Sequence, residues 1–154
     1  MADKTIFDRL KQDHDAHRQL LSKLTEAKGE SDRREKLFDQ FMVEVTAHAA
    51  AEEETLYATM LARPDLREDA QHSVSEHKEI GDYLEELDGL KMDGDAWNRK
   101  FEEMKKRYLH HIDEEEEEMF PAAAKELTGD EEKKLAATFA KRKPAELERA
   151  EAAK

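Results

Sequence analysis

Apolar residues recur at steps of three and four along most of this chain. Phe7, Leu10, His14, His17, Leu21 and Leu24 fall on one helical face. Gly29 follows as a stop signal, and Ser31 reads as the cap of the next helix. The second segment runs from about Asp32 to Arg63, with Phe38, Phe41, Val45, His48, Glu52 and Leu56 on one face, and Pro64 closes it. A third, from about Leu66 to Leu90, carries Ala70, Ser73, His77, Ile80, Leu84 and Leu87. After the connection KMDGD, Asp95 caps a fourth helix from Ala96 with Phe101, Met104, Tyr108, His111, Glu115 and Met119 on its stripe. Pro121 predicts a kink or a stop. Thr128 and Glu131 form a capping box for a short fifth helix ending near Arg142, and Lys143–Lys154 reads as a frayed or weakly helical tail. No segment alternates with period two, so no strand is predicted. The pattern specifies an all-α, antiparallel up-down-up-down four-helix bundle over residues 1–127, with a C-terminal helical extension over 128–154.

Composition changes this picture little. Charged residues make up 42% of the chain and the mean hydropathy is −1.00, values that also suit disorder. The strong periodicity decides for a folded helical surface rich in Glu and Lys. A formal net charge of −13 repels nucleic acid and anionic membrane. The absence of cysteine excludes disulfides, thiolate metal sites and thiol catalysis. No apolar run approaches the roughly 18 residues of a membrane span, and the charged N-terminus lacks a signal-peptide core, so a cytoplasmic protein is expected.

The chemistry lies in what interrupts the apolar stripes. HAAAEEETLY (48–57) returns 63 residues later as HIDEEEEEMF (111–120). At the same displacement His14 falls on His77, His48 on His111, Glu52 on Glu115, Leu21 on Leu84, Leu24 on Leu87 and Phe38 on Phe101. The displacement is a whole number of heptads, so each core position keeps its place on the helix. A generic heptad bundle explains the leucines. It does not explain His and Glu on the buried stripe.

Rise along the helix brings these groups together. His14 sits about 20 Å before the end of its helix, and His48 about 24 Å after the start of the next; His77 and His111 give about 20 and 22 Å. Four imidazoles therefore converge from four antiparallel helices. Glu52 and Glu115 lie one turn beyond His48 and His111 on the same face. Burying such groups without partners costs many kcal/mol. A hydrogen-bonded polar layer answers that cost in part; the doubled motif favours bound cations. Two His-x-x-x-Glu pairs with two further His suit two ions bridged by carboxylates. Imidazole with carboxylate suits Fe, Mn or Zn.

These residues resemble the hemerythrin-like, His-His-Glu cation-binding family. The resemblance spans Phe7 to Pro121 and rests on Asp13–His14, His48–Glu52, Glu76–His77 and HHIDEEEEEMFP from His110. It implies a four-helix bundle holding two iron ions bridged by carboxylates and an oxo or hydroxo group. Carried over by residue, the metal ligands are His14, His48, Glu52, His77, His111 and Glu115. Oxygen-carrying hemerythrins place a further His where this chain has Ser73, and an Asp five residues after the fourth-helix His, where it has Glu116. These departures imply more open coordination, which fits a reactive or sensing centre better than a carrier.

Other polar and sulfur-bearing residues lie on or near the same stripe. His17 is either a fifth imidazole ligand or a core His that hydrogen-bonds its neighbours; Ile80 holds its place in the repeat. Tyr108, one turn before His111, either packs or hydrogen-bonds a metal-bound ligand. His72 and His110 point away, and Glu114, Glu116 and Glu117 read as a solvated face. Met42, Met60 and Met104 read as packing. The expected partner is a small diatomic ligand or peroxide. The leading reading is a protein that binds or senses O2, NO or a redox signal. The alternative is an enzyme consuming peroxide or reducing NO; a ferroxidase, an iron store or a structural zinc bundle ranks lower.

Overall fold

The computed structural model describes residues 4–154, and among these it is helical with no strand. Helix α1 (Ile6–Glu26) starts at Thr5 in a reciprocal capping box with Asp8. Gly29, at φ 88°, takes the left-handed conformation that ends the turn after α1. Helix α2 (Ser31–Glu52) continues through a π-helical turn, Glu53–Tyr57, into the short α3 (Ala58–Leu61). Helix α4 spans Pro64–Asp88 and α5 spans Asp95–Glu114. A second π-helical turn, Glu115–Met119, joins α5 to α6 (Phe120–Glu126), and α7 (Gly129–Ala152) completes the chain. Helices α1, α2, α4 and α5 form the expected antiparallel bundle.

Several boundaries differ from the sequence expectation. Ser31 is the first helical residue, not the cap; its hydroxyl donates instead to Asp93 at 2.8 Å. Asp95 is likewise the first residue of α5, preceded by Gly94. Pro64 opens α4 rather than closing the segment before it, the position where a missing N–H costs nothing. Pro121 does not stop the helix, which runs on to Glu126. It follows a π-helical turn in which the Phe120 N–H already reaches back to Glu115, so the ladder is re-registered before proline removes a donor.

The largest difference is α7. The Thr128–Glu131 capping box forms as expected. The helix then runs to Ala152, past Arg142 and through Pro144. Proline inside a helix sacrifices a backbone hydrogen bond. Packing of α7 against α2 and α1 offsets that loss, with Phe139 fully buried and Lys143 and Glu146 nearly so.

The core has two apolar ends and a polar middle. One end gathers Ile6, Leu10, Leu56, Met60, Leu66, Phe120 and Phe139. The other gathers Leu21, Leu24, Phe41, Leu84, Trp97 and Phe101. At that second end the Arg34 guanidinium is buried. It donates to the Leu24 carbonyl at 3.0 Å and to Asp93 at 2.7 Å, and lies over Trp97 at 4.5 Å. Nothing in the helical pattern marked Arg34 as a core residue. Between the two ends sits the His and Glu layer.

Candidate metal centre

The layer resolves into two clusters related by the sequence repeat. His14, His48 and Glu52 bring one ligand atom each within 4.8 Å of one another, as do His77, His111 and Glu115. The carboxylates join the clusters. Glu52 Oε1 lies 3.4 Å from His48 Nε2 and 3.3 Å from His77 Nε2. Glu115 Oε2 lies 3.2 Å from His111 Nε2, and its Oε1 lies 3.6 Å from His14 Nε2. All six expected ligand positions thus meet in one place, and both glutamates face both clusters. The two π-helical turns begin at or just after these glutamates, a departure from regular helix that recurs at functional sites.

Each imidazole is aimed by its other nitrogen. Nδ1 of His48 hydrogen-bonds Asp13 at 2.8 Å, and Nδ1 of His111 hydrogen-bonds Glu76 at 2.8 Å. Nδ1 of His14 meets Glu116 at 2.7 Å, and Nδ1 of His77 meets Glu53 at 3.1 Å. A carboxylate on Nδ1 places the proton there and leaves Nε2 as a lone pair turned inward, as metal-binding histidines require. The pairs Asp13/Glu76 and Glu53/Glu116 stand at the same 63-residue displacement as the two His-His-Glu clusters. That regularity was available to find these four outer carboxylates. Glu116 therefore corrects the expectation of a solvated face. Its side chain is 19% exposed and is held by His14 and by Arg18 at 3.0 Å. Glu117, by contrast, is exposed, as are His72 and His110.

The inward atoms lack partners. His14 Nε2, His48 Nε2, both Glu52 oxygens and Glu115 Oε1 are buried and make no hydrogen bond. Such groups are rare in folded proteins unless something else satisfies them. Their electrostatics show the same conflict. Burial and the neighbouring Glu52 push the Glu115 carboxyl up, while burial of Glu52 is outweighed by contacts with Glu115, His48 and His77, which hold it well below the usual carboxylate range. Burial alone would lower His48 and His111, but the hydrogen bond to Asp13 and the nearby Glu52 carboxylate carry the first up to about 9, and the carboxylates of Glu115 and Glu76 carry the second up to about 10. Cations among these atoms would satisfy the lone pairs and remove the repulsion between the carboxylates. The donor set is oxygen and imidazole nitrogen, which fits iron, manganese or zinc.

The halves differ around this shared frame. His17 is buried, and its Nδ1 hydrogen-bonds the Tyr108 hydroxyl at 2.7 Å; its Nε2 has no partner. Its ring lies 5.2 Å from that of His48. Tyr108 therefore does more than pack. Tyr57 was missed by the sequence reading. Its hydroxyl donates to Glu115 at 2.5 Å and lies 3.4 Å from His77. Burial, then Glu115 and Glu52, push its phenol well above the ordinary range, so it keeps its proton. The signal was the replacement of Phe120 by a tyrosine at the repeat position. Ser73 is buried beside Met119, 3.4 Å from its sulfur.

The family model described as the hemerythrin HHE cation-binding domain matches residues 5–123. The chain belongs to the hemerythrin HHE family. No curated protein matches it. Among solved structures, this HHE chain is similar to a crystal structure of a hemerythrin HHE cation-binding domain-containing protein, the Rv2633c homologue from Mycobacterium kansasii. The two are 26% identical with a TM-score of 0.82, covering 97% of this chain and 90% of that one. The HHE match ends before α7, yet α7 reaches the centre: Lys143 Nζ donates to Asp13 at 2.9 Å. Asp13 also accepts from Arg9 at 2.6 Å. Burial would raise the Asp13 carboxyl, but His48, Lys143 and Arg9 together hold it far below the usual range.

Asp13→Asn keeps the shape of this network and weakens the charge on His48. It is expected to lower metal affinity about 10–100-fold, read by competition with a chromogenic chelator. Glu117→Gln on the exposed face should leave affinity unchanged; equal losses in both variants would remove the assigned role of Asp13.

Proposed function

We propose that the protein holds two metal ions, iron first among the candidates, and binds a small exogenous ligand there: O2, NO or peroxide. The observation that supports this most is the pair of His-His-Glu clusters sharing Glu52 and Glu115, with their inward lone pairs unpartnered. His14 and His48 would hold one ion, His77 and His111 the other, with Glu52 and Glu115 between them. Bound iron would supply a redox-active Lewis acid. The chain's own residues do the rest. Asp13, Glu53, Glu76 and Glu116 fix the imidazoles. The apolar clusters on both sides exclude bulk water. The absence of a His at Ser73 leaves fewer protein ligands than an oxygen-carrying pattern has, which favours a sensing or reactive centre.

A second reading, an enzyme that consumes peroxide, is favoured by the tyrosines. Tyr57 keeps its proton at the Glu115 carboxylate, and Tyr108 is likewise pushed well above its ordinary range, by burial and then by Glu52 and Glu115. Both phenols lie at the centre, Tyr57 against Glu115 and Tyr108 against His17, placed to donate a hydrogen bond to a ligand there.

Elemental analysis after iron-supplemented expression should find about two metal ions per chain, one for each His-His-Glu cluster. Visible spectra recorded while O2, NO or H2O2 is added then separate the readings. A persistent ligand-bound spectrum supports binding or sensing; oxygen evolution from peroxide supports the enzyme. A protein with only trace metal under these conditions would overturn both.

A further inference from the structure

The repeat makes one side of the centre a control for the other. Between α1 and α5 the flank is filled. Arg18 crosses it, donating to Asp113 and to Glu116 at 3.0 Å each, and Ile112 is fully buried behind. At the same displacement, the α2–α4 flank carries Gly81 for Arg18, Ala50 for Asp113 and Ala49 for Ile112. Each replacement deletes most of a side chain. What remains is a cavity of about 340 Å³ between α2 and α4, walled by these small residues with Val74, Ile80 and Leu84. A Cβ built on Gly81 meets no atom within 4 Å. The inner end is lined by His48, His77 and Tyr108, so the cavity leads from the surface to the metal cluster.

We propose that this cavity binds a neutral, mainly apolar organic molecule and presents its polar end to the centre. The size suits roughly ten to twenty non-hydrogen atoms, far more than a diatomic gas needs. Neutrality follows from the walls. Each charge on the wall already has an opposite charge beside it: Lys78 faces Asp82 at 3.3 Å, Glu53 faces His77 at 3.1 Å and His48 faces Asp13 at 2.8 Å, so an ionised ligand finds no unpaired partner. The net charge of −13 further disfavours an anion. An organic hydroperoxide or an alcohol has the required form: an apolar body against Ala49, Ala50 and Ile80, and an oxygen toward His48 and His77. The inference rests on the proposed reading of the centre as a small-molecule site, but its binding step needs no metal chemistry.

The test uses the purified protein and N-phenyl-1-naphthylamine, a neutral probe that brightens in apolar surroundings. The expected result is saturable binding of one probe per chain. Gly81→Arg combined with Ala50→Asp rebuilds on this flank the Arg18–Asp113 plug, with Glu53 already in the place of Glu116. This double variant should weaken probe binding by about tenfold or more. Ala49→Ile, which copies Ile112, is the second variant and guards against misfolding of the first. Leu147→Asp, in a groove between α2 and α7 away from the centre, should change nothing. Helical circular dichroism and metal content are compared first, so that a lost centre is not mistaken for a closed cavity. Absence of saturable binding to the wild type, binding undiminished in the plugged variants, or loss through Leu147→Asp overturns the proposal. None of these results touches the metal count on which the centre itself stands.

Discussion

Glu52→Ala is expected to strip metal from both halves of the centre at once, and Glu115→Ala to do the same. Each carboxylate faces both clusters, Glu52 through His48 and His77 and Glu115 through His14 and His111. The loss should exceed the roughly 10–100-fold drop that follows removal of a hydrogen-bonding partner such as Asp13. The fold should survive. Burial and the neighbouring Glu52 already disfavour the Glu115 charge, so deleting it relieves desolvation cost and like-charge repulsion, and metal-free Glu115→Ala should melt no lower than the metal-free wild type. Glu117→Ala, on the exposed face of the same π-helical turn, should keep full metal content. Iron per chain and metal-free melting temperature, measured side by side, check this. Retention of wild-type metal by both Glu52→Ala and Glu115→Ala would show that the ligands have been misassigned.

Phe139→Ala should cost about 3–5 kcal/mol, because it empties a fully buried site. For a chain of this size that corresponds to a melting temperature lower by about 6–20 °C. Phe139 is the anchor of α7. Its ring packs edge-on against His48 at 5.8 Å, and the Arg9 guanidinium lies over it at 4.8 Å. The same substitution should therefore loosen the seat of His48 and, through Lys143, the Asp13 network, lowering metal affinity in the molecules that remain folded. Thermal unfolding followed by helical circular dichroism, together with chelator competition, reads both effects. A loss below about 1 kcal/mol would mean that α7 does not pack on α2 and α1 as a structural part of the bundle.

The helices, their inward faces and the six converging residues were legible in the sequence. Helical periodicity is a local property, and the 63-residue repeat carries residue type and helix face together. His14, His48, Glu52, His77, His111 and Glu115 stand out because His and Glu on an apolar stripe have no cheap structural explanation. The tertiary structure decided what each of them touches. Glu116 could not be assigned from the stripe, because its π-helical turn changes the direction in which side chains leave the helix. Asp13 and Glu76 sit beside His14 and His77 in sequence but hydrogen-bond the histidine of another helix, His48 and His111, a relation fixed only when helices dock. Tyr57 and Phe120 look alike in a hydrophobic pattern and differ by one hydroxyl that matters only beside Glu115. Helix α7 was underestimated because its weak apolar stripe and Pro144 give little local helix signal; burial of Phe139 against two other helices supplies the stability that local propensity lacks. The α2–α4 cavity was beyond sequence reach for a similar reason. Small residues at Ala49, Ala50 and Gly81 leave a space only where the packed backbones do not close over them.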